Sequence, residues 1–202
     1  SVSEQNPAIM SEEIAQSGGG ILSTVAATCE ADNERLYQRG MRHALWMVAN
    51  GTTTVEAKSG YGLSVEEELR LLWIIKELGL TTPLRFVPTL LAAHVLPPEF
   101  KDHRKDYIDL VVEQMIPLAA KESLAKYVDV FCESIGFTLD ETRRICLAAK
   151  SFGLGVRLHV DQLTNSGGAS LAAEVGATTA DHLEQTNAAG IMALAAAGVQ
   201  PV

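Results

Sequence analysis

Cysteine is scarce in this chain: three in 202 residues (Cys29, Cys132 and Cys146), an odd number with no C-x-x-C spacing. That argues against a disulfide-stapled scaffold or a cysteine-rich zinc module and fits a reducing compartment. Positive charge is short as well. Sixteen basic residues against 25 acidic ones leave a formal net charge of −9. With no lysine and arginine cluster to offset it, a nucleic-acid partner is not expected. No apolar run approaches the ~18 residues of a membrane span, so no membrane is expected either. SVSEQNPAIM at the start lacks the basic and apolar regions of a signal peptide, and the expected location is the cytoplasm. Nucleotide signatures are missing too. The GGGI stretch (18–21) has neither G-x-G-x-x-G nor a following G-K-[ST]. A G-x-S-x-G nucleophile elbow does not occur, and Cys132 has no evident histidine partner in sequence.

What the chain does have is apolar content and rhythm. Its residues are 47% hydrophobic, enough for one substantial core, and residues 1–202 are read as a single domain. A short β-rich run, a polar loop, an amphipathic helix and a glycine follow one another repeatedly. TTTVEAK (52–58) leads through SGYGL into SVEEELRLLWIIKELG. There Ser64 and Glu67 have capping-box spacing, Leu69, Leu72 and Trp73 make an apolar face, and Gly79 can close the helix. LRFVPTLL (84–91) follows, with Pro88 a mild objection to a central strand. A helical segment around 106–121 precedes YVDVFCE (127–133), and Thr138 and Glu141 repeat the capping-box spacing. VRLHV (156–160) and ATTADHL (177–183) complete the pattern, each followed by a helix, and VQPV looks like the start of another strand.

Alternating strands and helices imply an α/β fold with a parallel sheet. An open doubly wound sheet gathers its chemistry at one switch point, whereas a (β/α)8 barrel of the TIM type spreads it over successive strand ends. Polar, reactive residues stand at or just after four strand ends: Tyr61, His94, His159 with Gln162, and His182. The barrel is favoured. About six strands can be counted where a barrel has eight and typically about 250 residues, so the barrel is expected to be incomplete.

RLHVDQL (157–163) states the chemical question. In extended conformation Arg157, His159 and Asp161 share one face while Leu158 and Val160 take the other. A neutral imidazole there suits zinc or iron, with its second nitrogen needing an acceptor. The alternative is a structural histidine satisfied by backbone or by Asp161. His182 stands at the equivalent end of the next strand, where neighbouring barrel strands would bring the two rings together. Two histidines alone do not close a metal site, since catalytic zinc normally takes three protein ligands and a water. His94 follows a strand and precedes Pro97 and Pro98; it is a site residue or an exposed loop histidine. Tyr61, between two glycines, either aims over the sheet or packs under its own loop. His43 and His103 are given no role.

GGGILSTV, TTTVEAKSGYGL, AAHVLPPEF, VDVFCE, LHVDQLTNSGGASLAAEVGA and ADHLEQT, in that order, resemble the imidazolonepropionase family of the amidohydrolase superfamily. The resemblance implies a metal-dependent hydrolase that converts 4-imidazolone-5-propanoate to N-formimino-L-glutamate in histidine degradation. It implies one divalent zinc or iron, held by an H-x-H pair on the first strand, a histidine on the fifth and an aspartate on the eighth. His159 resembles the fifth-strand ligand. His182 resembles the sixth-strand histidine beside the bound water or substrate, and it or the missing aspartate could shuttle the proton to the leaving nitrogen. Tyr61 and His94 match substrate-contacting positions, with His94 also suited to stabilising an oxyanion. Gln162 stands where the family has glutamate or glutamine and is assigned hydrogen bonding to substrate. The expected partners are a small-molecule substrate and, as an assembly, a homodimer.

The chain departs from the family pattern. It contains no H-x-H and stops before an eighth-strand aspartate, which leaves one family ligand of the four. Ser11 stands where a tyrosine is expected and Cys29 where an arginine is expected. Two alternatives stay open: another cyclic amidohydrolase or deaminase, and a non-catalytic barrel remnant serving as an interaction module, with exposed sheet edges.

Overall fold

A computed structural model describes residues 21–202. The glycines of GGGI (18–20), and Ser11, lie outside the described residues. Two helices, α1 (Ile21–Glu30) and α2 (Asn33–Ala49), precede strand β1 (Thr54–Lys58). Then come α3 (Val65–Thr81), β2 (Arg85–Ala93) and α4 (Arg104–Leu110), the last running through a π-helical turn (Val111–Met115) into α5 (Ile116–Lys121). The remainder is β3 (Tyr127–Cys132), α6 (Leu139–Ser151), β4 (Gly155–Val160), α7 (Gly168–Glu174), β5 (Thr179–His182), α8 (Ala188–Ala197) and β6 (Gln200–Pro201).

All six strands are parallel and stand in chain order β1 to β6. Sequential neighbours joined by helices make a curled, incomplete (β/α)8 barrel, with β1 and β6 as its open edges among the described residues. Strand alternation divides the chemistry. Val128, Val130, Val156, Leu158, Val160 and Ala180 join the apolar core between sheet and helices. Their alternates Asp129, Arg157, His159 and Asp181 take the inner face. Pro88 costs nothing in β2: its carbonyl accepts from Lys126 N at 2.8 Å, so its nitrogen faces the same side, before β3 begins.

Local signals set the helix ends. Thr138 and Glu141 form a full capping box on α6, each side chain accepting from the other's backbone N–H. Ser64 caps α3 by accepting from Glu67 N, but the Glu67 carboxylate is drawn to Arg70, so the box is half made. Gly79 does not end α3. The helix continues to Thr81, because the Thr82 N–H and hydroxyl bond the Leu78 carbonyl and supply the stop. Among the described residues, no helix is long and apolar enough to cross a membrane.

Candidate active site

Lys58, Tyr61, His94, His159, Gln162 and His182 line one cleft of about 360 Å³ over the C-terminal ends of β1 to β5. The cleft brings together every residue singled out from sequence as a ligand or substrate contact. Their rings form a chain. Tyr61 meets His94 edge-on at 5.5 Å between centroids, His94 lies 6.3 Å from His159, and His159 lies 5.4 Å from His182. Phe131 packs edge-on against both His94 and His159. His43 and His103 are exposed and outside it.

Two of these histidines reach the cleft only because strand geometry is broken. In β2 the register steps from Leu90↔Val128 to Ala93↔Val130, three residues against two. The extra residue reverses the alternation, so Ala93 turns to the helix side and His94 turns inward. In β5 the alternation gives Asp181, not His182, to the inner face. His182 (φ 78°) and Leu183 (φ 70°) then adopt left-handed backbone, which swings the His182 ring back over the cleft. Such conformations are costly for non-glycine residues, of order 1–3 kcal/mol, and persist where the surroundings enforce them. Here Leu183 N bonds Val160 O at 3.1 Å and His182 N bonds Val202 O at 3.1 Å.

Beneath the rings lies a row of charges. Asp129, fully buried, accepts from His159 Nδ1 at 2.9 Å and from Lys58 Nζ at 2.7 Å. Lys58 also reaches Asp181 Oδ2 at 3.0 Å and Glu56 at 3.6 Å, and Arg157 pairs with Glu56 at 2.9 Å. Burial pushes the Asp129 carboxyl up, but the hydrogen bond from His159 and the Lys58 ammonium outweigh it and hold it below its ordinary value. Burial pulls Lys58 down, yet Asp129 above all, then Asp181 and Glu56, keep it raised. The ammonium is therefore a fixed cation and not a base. Three carboxylates against two cations leave the row one net negative charge, which favours a further cation over an anion.

The acceptor on His159 is Asp129 and not Asp161. Asp161 turns away at φ 50° and is spent on structure, accepting from Gly168 N, Ala169 N and Ser166 N at the start of α7 and from the Thr186 hydroxyl. With Nδ1 donating to Asp129, His159 offers Nε2 to a ligand. One ligand atom each from Asp129, His159 and Asp181 lie within 4.8 Å of one another. Asp129 is already engaged on both oxygens, whereas Asp181 Oδ1 is buried without a hydrogen-bond partner. His159 and Asp181 thus fit a metal, but two donors fall short of the three protein ligands of a catalytic zinc.

His94 differs from His159 in its partner. Its Nδ1 lies 3.3 Å from the Gly60 carbonyl, which can only accept, so Nδ1 carries the proton. Burial lowers its pKa and keeps the ring neutral, leaving Nε2 as a lone pair.

No family model matches the chain. Curated relatives do. Imidazolonepropionase from Solibacter usitatus is 53% identical over 190 residues, which are 94% of this chain and 46% of that protein. Imidazolonepropionase from Rhizorhabdus wittichii is 52% identical over 93% of this chain and 47% of its own, and that from Myxococcus xanthus 50% identical over 94% and 45%. Over nearly its whole length this chain is similar to part of each of these imidazolonepropionases. It spans about half the length of the curated relatives it matches.

Among solved structures, 5-methylcytosine deaminase from Klebsiella pneumoniae liganded with 5-fluorocytosine superposes with a TM-score of 0.65 at 14% identity, over 87% of this chain and 44% of that one. An amidohydrolase gives 0.60 at 17%, over 88% and 48%. At such identities the likeness establishes the fold alone, a (β/α)8 barrel in incomplete form. Lys58, Asp129 and Asp181 were given no role from the sequence. Inward alternation of Asp129 with Tyr127 and Phe131 was the signal that could have found it; nothing local marks Lys58.

Proposed function

We propose that this chain carries much of the reaction cleft of a metal-dependent hydrolase that opens the ring C–N bond of 4-imidazolone-5-propanoate, giving N-formimino-L-glutamate. One observation carries the reading: five residues chosen from four strand ends, Tyr61, His94, His159, Gln162 and His182, line a single cleft. His159 Nε2 would hold one divalent zinc or iron, Asp181 is the second candidate donor, and the remaining ligands come from outside the described residues. Bound there, the metal would acidify a water and polarise the ring carbonyl.

The chain's own residues do the rest. Asp129 keeps the His159 ring turned and its Nδ1 protonated. His182, the most exposed of the three rings, can take protons from solvent and pass one to the leaving nitrogen. His94, neutral with its proton on Nδ1, suits accepting a substrate ring N–H at Nε2 better than donating to an oxyanion. Tyr61 and Gln162 provide hydrogen bonds at the rim. The negative floor disfavours a carboxylate, so the propanoate tail points away from Lys58.

Metal analysis tests the reading. The purified chain, a form extended to the length of its relatives, and the extended His159→Ala variant are compared for bound zinc or iron and for loss of the imidazolone ring. About one metal per extended chain with turnover, both lost in His159→Ala, is expected. No metal and no turnover in the extended form refutes it.

A further inference from the structure

The turn over residues 59–63 is held by a carboxylate that the reaction does not use. Glu68, in the first turn of α3, is fully buried. Among the described residues no cation pairs with it. Instead Oε2 accepts from Gly60 N and Oε1 from Gly62 N and Leu63 N, each at 2.8 Å. An unpaired buried carboxylate is costly, and three converging N–H donors are what offset it.

The turn has no slack around this anchor. Gly60 has φ +97°, and a Cβ there would stand 2.9 Å from the Leu91 carbonyl oxygen. At Gly62 a Cβ would meet the Glu67 backbone at 2.7 Å. Leu63 is left-handed at φ 56°. Ser59 ties the near end, its hydroxyl accepting from Leu91 N at 3.1 Å. From this frame two groups meet His94: the Tyr61 ring, edge-on to it, and the Gly60 carbonyl, 3.3 Å from its Nδ1.

We propose that Glu68 is the positioning residue of the cleft: by fixing the 60–63 turn it presents the Gly60 carbonyl to His94 and so sets His94 as the Nδ1–H tautomer, with Nε2 bare toward a ligand. The ligand class this selects is a ring that offers an N–H, as a cyclic amide does. The inference rests on the reading of Tyr61 and His94 as substrate-facing residues, yet its chemistry is readable without substrate or metal. Failure of the hydrolase reading therefore leaves it standing, and its own failure leaves that reading intact.

The experiment is nitrogen-15 NMR of the histidine rings in the metal-free chain, at a pH where they are neutral. Protonated and bare nitrogens give separate resonances, so the tautomer is read directly. In the wild-type chain His94 is expected to carry its proton on Nδ1; a predominantly Nε2–H ring overturns the proposal. In Glu68→Gln the amide nitrogen of the new side chain faces a backbone N–H, one donor against another. The ratio of Nδ1–H to Nε2–H at His94 is then expected to fall about fivefold, the value of roughly one hydrogen bond. The His159 ratio, set by Asp129, stays put. A role confined to stability would lower the unfolding midpoint and leave the His94 ratio unmoved, and that result overturns the proposal. Gly62→Ala distorts the same turn without touching the carboxylate. It must move the His94 ratio in the same direction, and an unchanged ratio there refutes the mechanism even if Glu68→Gln does not fold.

Discussion

Asp129→Asn is the substitution that tests most of this structure at once. The side chain is fully buried, accepts from Lys58 at 2.7 Å and from His159 at 2.9 Å, and has almost the volume of asparagine. The change therefore removes charge without opening a cavity. Breaking a buried ion pair from one side costs about 3–5 kcal/mol, because the partner is left uncompensated. Here Lys58 keeps Asp181 at 3.0 Å and Glu56 at 3.6 Å, which places the loss near the lower end, about 3 kcal/mol. At roughly 2–4 °C per kcal/mol for a chain of this size, the melting temperature should fall by about 6–12 °C. Urea unfolding followed by circular dichroism, with an unchanged m-value, measures it. The double variant with Lys58→Met should cost less than the two singles together by about 1–3 kcal/mol, since the two share one interaction. A loss under about 1 kcal/mol, or simple additivity, would show that the charge row is dispensable. In the metal-loaded form the freed His159 ring should weaken metal binding about 10–100-fold.

The charge row and His94 also fix a stability profile. Asp129 is depressed from 3.8, so its contribution is whole above that value and is lost as pH falls through the folded pKa. Lys58 is raised from 10.5, so its contribution is whole below that value and lost as pH climbs through the folded pKa. His94 is lowered from 6.5, so stability also drops as pH falls from there. Urea midpoints measured across pH should show a plateau between 6.5 and 9.0, above which the buried thiols of Cys132 and Cys146, held protonated in the fold by burial, begin to lower them, with His94→Gln removing the step below it. Asp161→Ala strips three backbone donors of their acceptor and should destabilise by about 2–4 kcal/mol in the same unfolding assay. Gly60→Ala forces a Cβ to 2.9 Å from a carbonyl oxygen at φ +97°, and a loss of at least about 1–3 kcal/mol is expected by thermal unfolding. Thr138→Ala removes the capping box of α6 and should cost about 1 kcal/mol.

The order and kind of the elements were legible in the sequence. Period-two and period-3.6 apolar patterns are local, and caps such as Thr138 with Glu141 act within one turn of the chain. It also placed Tyr61, His94, His159, Gln162 and His182 at strand ends, which in a parallel barrel share one rim. Their meeting in one cleft follows from topology. What no local pattern contains is pairing across the sheet. Lys58 reaches Asp129 and Asp181 across 71 and 123 residues of sequence, contacts that exist only once the register is set. Asp161 looked like the partner of His159 because it shares the strand face in an extended chain, but a left-handed residue at the strand end sends it to cap α7. Simple alternation would also have turned His94 and His182 toward the helices. A bulge in β2 and two left-handed residues after β5 reverse them, and each is held in place by hydrogen bonds or packing from neighbouring strands. Local chemistry chose which residues stand at the rim; the direction each one points was decided by backbone conformations that only the assembled sheet can sustain.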